Sequence, residues 1–186
     1  DCKSYIVTSG GPLLKFIIKN KVKVIRLPVH SKNPILMIMN ALIISIIIFV
    51  LNIDIVHARS RAPAWSCWIA NFFTRRKFVT TFHGTYNFKS KIKKFYNSIM
   101  LRSELTIAGS NFIFDHIHTN YSDHLTKNKK LLVIFRGINT DYYNKLKVSE
   151  EKVEKFNSIL KLDDHTFKIL LPGRLTRWKG QEMFLE

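Results

Sequence analysis

The chain has 186 residues and a mass of 21.8 kDa, and 46% of its residues are hydrophobic. These values exclude an intrinsically disordered chain, a fibrous repeat and a disulfide miniprotein. The charge is uneven, because residues 1–140 contain 21 basic and 5 acidic residues, whereas residues 141–186 contain 9 and 8. The basic excess indicates a polyanionic partner such as nucleic acid, anionic lipid or a phosphorylated substrate, although compositional drift toward lysine would produce the same excess.

Short β-branched segments alternate with helical segments over the first 135 residues. The pattern predicts strands at 5–8, 22–27, 53–57, 78–82, 105–108 and 131–135. Helices are predicted between them, at about 12–20, 34–51, 63–74, 88–102 and 110–121. Apolar strands that alternate with helices are typical of a parallel sheet covered on both faces. We therefore predict a doubly wound α/β domain.

Residues 35–51 carry no charge, and only Asn40 and Ser45 interrupt the apolar run. As a helix the segment would be roughly 26 Å long, just short of a bilayer core of about 30 Å. Because it lies between two predicted strands, we expect a crossover helix that is buried or partly apposed to a membrane. A true membrane span, and hence an integral membrane protein anchored by this segment, is the alternative.

A second α/β unit is predicted near the end of the chain. A charged helical stretch at 149–160 is followed by a seventh predicted strand at 166–171, a loop at 172–180 and a new helix start. We therefore divide the chain into a first domain at 1–141, a connection at 142–165 and the start of a second domain at 166–186.

The loop of that second unit has the chemistry of an anion site. Gly173 allows close backbone approach, and Arg174, Arg177 and Lys179 follow before the helix begins. Cations and free helix N–H groups presented together are what a diphosphate requires. An exposed basic turn without a ligand would carry the same residues. The simple phosphate-loop pattern GxxxxGK[ST] is absent.

The segment 173–181, Gly-Arg-Leu-Thr-Arg-Trp-Lys-Gly-Gln, resembles the donor-phosphate loop of retaining family 4 glycosyltransferases of the GT-B type. Segments 56–65, 81–86, 108–112 and 136–141 are similar, in order and spacing, to motifs of that family's N-terminal domain. The resemblance implies a Rossmann-like, acceptor-side first domain and the start of a nucleotide-sugar-binding second domain. It also implies transfer of a sugar, with retention, from a nucleotide-sugar donor to an envelope glycan, lipid-linked or lipopolysaccharide-type acceptor.

The resemblance also implies roles for individual residues. Arg174 and Lys179, with Gly173, would contact the donor diphosphate and stabilise the charge of the leaving nucleotide. His83 would line the catalytic cleft, since it follows a strand at the carboxyl edge of the sheet. A hydrogen-bonded structural histidine is the alternative for His83.

Three further candidate residues lie at the end of the predicted strand 53–57 or just after it. Their side chains should project from the same edge of the sheet as His83. His57, Arg59 and Arg61 would form the acceptor side, where two guanidinium groups could bind a phosphate or carboxylate, unless they belong to a solvated turn. Ser110 and Asn111 are predicted to cap a helix that faces the cleft, a role that needs no ligand.

We expect no metal and no cofactor, because His116 and His118 lack companions for a metal site. Two cysteines without a CxxC pattern indicate a reducing compartment, so we expect a cytoplasmic protein. The basic excess in residues 1–140 predicts that it is peripheral on the inner face of the cell membrane and bound to its anionic surface. A basic module that binds nucleic acid is a further alternative, but no recognition helix or RNP-type pattern supports such a partner. The family's first strand and its carboxylate motif are expected outside residues 1–186, so we expect this piece alone to be inactive.

Overall fold

The structure is a computed structural model that describes residues 2–19, 22–86, 88–125, 130–163, 165 and 167–186. The chain divides into two compact units, Asp1–Arg136 and Gly137–Glu186. The first unit holds all of the assigned strands, and the second holds two helices.

In the first unit, strands and helices alternate as the sequence predicts. The strands are β1 (Tyr5–Thr8), β2 (Lys23–Arg26), β3 (Ile55–Ala58), β4 (Lys77–Phe82), β5 (Leu105–Ala108) and β6 (Lys130–Val133). The helices are α1 (Leu14–Lys19), α2 (Pro34–Val50), α3 (Arg61–Thr74), α4 (Lys91–Ser98) and α5 (Asn111–Tyr121). All six strand predictions are confirmed to within three residues at each end.

The six strands form two parallel sheets. One sheet pairs β1 with β2, and the other has the order β3-β4-β5-β6. Within the larger sheet Ala58 lies opposite Thr80, and Phe82 lies opposite Ala108, which lies opposite Val133. Because all four strands are parallel, the residues that follow them lie along one edge of the sheet. The α/β, Rossmann-like prediction is confirmed; alternation along the sequence does not specify which strands pair, and the division into two sheets was not predicted.

A single hydrophobic cluster underlies both sheets. Its fully buried side chains include Phe82, Ile99, Met100, Ile117 and Tyr121, and Val7 and Leu27 of the smaller sheet region pack against it. The core also contains polar groups that are satisfied internally, since the hydroxyl of Thr80 donates to the carbonyl of Met100. The cluster thus joins elements of both sheets in one hydrophobic core.

Helix α2 connects β2 to β3, as predicted, although the two strands belong to different sheets. Asn33 caps it by accepting a hydrogen bond from the Ile35 backbone N–H at 2.9 Å, and Pro34 occupies the first helical position. Asn40 and Ser45 lie on its buried face, where they donate to the carbonyls of Pro28 and Ala41. None of the helices in the described part of the chain combines the length and hydropathy that a membrane span requires.

The two cysteines are unpaired and differ in environment. Cys2 is exposed, whereas Cys67 lies in α3 and packs against the core. Burial raises the pKa of the Cys67 thiol to about 12.

The second unit contains α6 (Glu150–Leu160) and α7 (Gln181–Leu185), and one 3₁₀ turn at Arg177–Lys179 precedes α7. The predicted strand at 166–171 is not observed: Thr166 lies outside the described residues, and 167–171 are assigned no strand. Phe167 and Leu170 are 89% and 82% exposed. A strand requires a ladder partner, and no described residue pairs with this segment.

Candidate functional site

Four basic side chains gather at the carboxyl edge of the larger sheet. His57 is the penultimate residue of β3 and Arg59 follows that strand, while His83 follows β4 and Arg136 lies three residues after β6. We call these four residues the basic edge. None of the salt bridges found among the described residues involves any of them. The basic edge therefore presents cations and imidazoles without a neutralising carboxylate.

The imidazole of His83 is oriented by Arg136. The guanidinium Nη2 of Arg136 lies 3.0 Å from Nδ1 of His83. A guanidinium can only donate hydrogen bonds, so Nδ1 must accept and carries no proton. The proton of the neutral ring is therefore on Nε2, which makes Nε2–H a hydrogen-bond donor toward any ligand oxygen placed there.

The environment of His83 also disfavours its protonation. Its pKa is lowered, first by burial and then by the positive charges of Arg59 and Arg136 and by the neighbouring His57. A neutral His83 imidazole can donate a hydrogen bond from Nε2 to a ligand oxygen without adding a full positive charge.

His57 is held by the neighbouring strand. Its Nε2 lies 2.7 Å from the hydroxyl Oγ1 of Thr81 in β4. Burial, followed by the charge of Arg59, lowers the pKa of His57. His57, Arg59 and His83 are therefore brought together as predicted.

Arg61 is placed differently from Arg59. Its guanidinium lies 4.2 Å from the ring centroid of Tyr86 and 5.6 Å from that of Tyr96. Its Nη1 donates to Oδ1 of the buried Asn97 at 2.6 Å. Arg61 thus has cation–π and amide partners inside the protein, which Arg59 does not show.

A cavity of about 300 Å³ opens beside Arg61, between the carboxyl end of β1 and the start of α3. Its polar lining consists of hydroxyls, cations and a histidine, with no carboxylate: Thr8, Ser9, His30, Lys32, Ser60, Arg61 and Tyr96. The cavity can accept a polar or anionic group.

Ser110 has the predicted capping role. Its side chain accepts a hydrogen bond from the Ile113 backbone N–H at 3.3 Å, at the start of α5. Asn111 is the first residue of α5 and is exposed. Both residues lie just beyond β5, near Gly109, over which Arg136 passes with its Nε 3.8 Å from the place a Cβ would occupy.

In the second unit, the loop at 172–180 brings its predicted residues together. A Cβ at Gly173 would lie 3.1 Å from Nε2 of Gln181 and 3.9 Å from Cδ of Lys179. Nε2 of Gln181 donates to the Arg174 carbonyl at 2.9 Å. A side chain at Gly173 would therefore crowd the Gln181 amide, whereas Lys179 lies at an ordinary contact distance. Gly180 takes a left-handed conformation with φ of 76°.

Arg136, which lies 3.0 Å from His83, was not predicted as a site residue. Arg136 follows a strand at the same edge as His57 and His83, so that signal could have found it. No comparable signal marks Asn97 or Tyr96, because their contact with Arg61 depends on how α4 packs against α3.

The first unit matches a known family. The profile described as Glycosyltransferase Family 4 matches residues 1–142. The crystal structure of a glycosyltransferase from Rickettsia africae ESF-5 is 43% identical, with a TM-score of 0.79, and the match covers 95% of this chain and 46% of that chain. Anabaena Alr3699/HepE is 17% identical, with a TM-score of 0.70 and coverage of 97% and 48%. The curated proteins contain no significant match. This chain spans about half the length of the two solved proteins.

Proposed function

Because this chain belongs to Glycosyltransferase Family 4, we propose that it is part of an enzyme that transfers a sugar, with retention, from a nucleotide-sugar donor to an envelope glycan or lipopolysaccharide-type acceptor. The observation that carries the proposal is the basic edge, where a neutral His83 with its proton on Nε2 lies among Arg59, Arg136 and His57. The same fold in Anabaena Alr3699/HepE is described in complex with UDP and glucose, the components of a nucleotide sugar.

The donor side of the proposal rests on Arg174 and Lys179. When the bond between the sugar's anomeric carbon and the diphosphate oxygen breaks, negative charge develops on the departing diphosphate. Two cations in one loop, with Gly173 allowing close approach, would stabilise that charge without a metal. His83 would donate from Nε2 to an oxygen of the reacting sugar, and Arg136 would hold the imidazole in that orientation.

The acceptor side rests on the first unit. Arg59 at the basic edge and the cavity beside Arg61 offer positive charge and hydroxyl groups to a phosphate or carboxylate on the acceptor. A glycan or lipid-linked acceptor that carries such a group would be met at an anionic membrane surface, to which we assign the protein as a peripheral, cytoplasmic-face component. The excess of 21 basic over 5 acidic residues in 1–140 supports that assignment.

The test is a transfer assay on a chain extended to the length of its solved relatives, with radiolabelled nucleotide sugars and an anionic glycan acceptor. His83→Ala should lower turnover by about 10²-fold while the protein stays folded. His118→Ala, at an exposed histidine of α5, is the matched control and should keep normal turnover. Unchanged turnover in folded His83→Ala protein would contradict the role of His83, and salt-sensitive binding to DNA without any transfer would favour the nucleic-acid alternative.

A further inference from the structure

The solvent-facing side of α2 is apolar along its whole length. Eight large apolar side chains of this helix are between 38% and 75% exposed. They lie within one angular sector when placed at about 100° per residue, opposite the buried residues Met37, Ala41, Ile44 and Ile48. We call them the outer face of α2: Ile35, Ile38, Met39, Leu42, Ile43, Ile46, Phe49 and Val50.

A surface helix ordinarily turns polar residues outward, and α2 does not. Its inner face packs on the core and on α3, yet the outer face has no charged residue and no polar one. A helix that is apolar all round is normally covered on all sides, and a continuous exposed patch of this size marks an interaction surface.

The carboxyl end of α2 is tied to the residues that follow α3. Nη2 of Arg76 donates to Oδ1 of Asn52, two residues beyond the end of α2, at 3.1 Å. This contact places the Arg76 guanidinium at the carboxyl end of the helix.

Basic residues lie at both ends of the outer face of α2. Arg75 and Arg76 follow α3, and Lys32 immediately precedes the cap of α2. No carboxylate of the described residues forms a salt bridge with any of the three. An apolar stripe bordered by unneutralised cations is complementary to the acyl and headgroup layers of an anionic bilayer.

We infer that the outer face of α2 inserts into the surface of an anionic membrane, with the helix lying parallel to the membrane plane. A span is not required, since α2 has 17 residues and none of the helices in the described part of the chain combines the length and hydropathy of a spanning helix. A second copy of the chain is less suited, because pairing the outer faces in either direction would bring Arg75 and Arg76 close to cations of the other copy.

This inference deepens the membrane part of the proposed function and rests on it. It differs from attachment by basic charge alone, because insertion of the apolar face predicts a contribution that depends on Ile46 and Phe49 and not only on lysine and arginine. It is also separable from transfer activity, since binding is measured without any donor or acceptor.

The experiment is vesicle sedimentation with the 186-residue chain. Vesicles of phosphatidylcholine alone are compared with vesicles that contain phosphatidylcholine and phosphatidylglycerol. We expect binding to the anionic vesicles, and an I46N/F49N double variant should weaken it by about tenfold or more. The matched control is Ile159→Asn, at an exposed apolar position of α6 in the second unit, which should bind as the unchanged chain does.

Circular dichroism and sedimentation velocity on each protein keep the result interpretable. The inference is supported if the folded, monomeric double variant loses binding and the control does not. It is overturned if the unchanged chain does not bind anionic vesicles, or if the double variant binds them as well as the unchanged chain does. A dimer that the double variant dissociates, without vesicle binding by the unchanged chain, would assign the outer face to a second copy and also overturn it.

Discussion

Nδ1 of His83 lies 3.0 Å from Nη2 of Arg136, although 53 residues separate the two in the sequence. The contact joins the ends of β4 and β6 and fixes the proton of the neutral His83 ring on Nε2. We predict that the apparent pKa of His83, measured by NMR titration of its imidazole, lies below the ordinary value of 6.5. In Arg136→Met it should move up toward that value, because the variant removes a neighbouring positive charge and a donor to Nδ1.

Arg102→Met serves as the control for that titration. Arg102 stacks on Trp65, Trp68 and Phe95, away from the imidazole, so its removal should leave the His83 titration unchanged. A His83 pKa that does not move in Arg136→Met would show that Arg136 does not act on the imidazole in solution.

Stability should depend on pH through the same histidines. The pKa values of His57, His83 and His116 are lowered in the folded protein, so below pH 6.5 the unfolded chain binds protons that the folded chain does not. The free energy of unfolding should therefore be highest above pH 6.5 and fall as the pH drops from 6.5 toward the folded values. Each proton bound on unfolding contributes a slope of about 1.4 kcal/mol per pH unit.

Urea unfolding at pH 7.5 and 5.5 measures this dependence. A Trp178→Phe background restricts the tryptophan fluorescence to Trp65 and Trp68 of the first unit. His57→Gln with His83→Gln should reduce the difference between the two pH values. If the free energy of unfolding differs between the two pH values as much in the double variant as in the unchanged histidine background, groups other than His57 and His83 cause the pH dependence.

Arg59 and Arg61 should separate into two roles. Arg61→Met removes a charged donor from the buried Asn97 amide and the cation over Tyr86, so it should lower the free energy of unfolding by about 1–3 kcal/mol. Arg59→Met, at an exposed position, should change it by less than about 0.5 kcal/mol but reduce turnover of the extended enzyme with an anionic acceptor. Equal losses of stability would contradict the separation.

Lys179→Ala should lower kcat/KM of the extended enzyme by about 10²-fold or more, since the variant would remove the charge contact that we propose for the leaving diphosphate. Lys168→Ala is the matched control, because Lys168 is an exposed lysine of the same unit outside the loop. If both variants transfer sugar at the normal rate, the diphosphate site must lie elsewhere.

Residues 1–186 alone should not transfer sugar, because they span only 46% of the Rickettsia glycosyltransferase. The purified chain, incubated with labelled nucleotide sugars and acceptor, is compared with the extended enzyme in the same assay. Measurable transfer by the shorter chain would show that the donor site is complete within it.

Parts of this architecture could be predicted from the sequence because they depend on local patterns. The sequence pattern predicts where the strands end, and in a parallel sheet these ends place His57 and His83 at the same edge. The predicted strand at 166–171 was wrong over its described residues, since an apolar run satisfies the local pattern but a strand also requires a partner. The hydrogen bond from Arg61 to Asn97 could not be predicted from the sequence, because it depends on the packing of α4 against α3.

The raised pKa of Cys67 has a practical consequence. At neutral pH its thiol holds almost no thiolate, whereas Cys2 is exposed to solvent. Maleimide reagents, which react with thiolates, should therefore attach a fluorophore at Cys2 alone in the folded chain. A protein labelled at that single position can be followed in solution without introducing or deleting a cysteine.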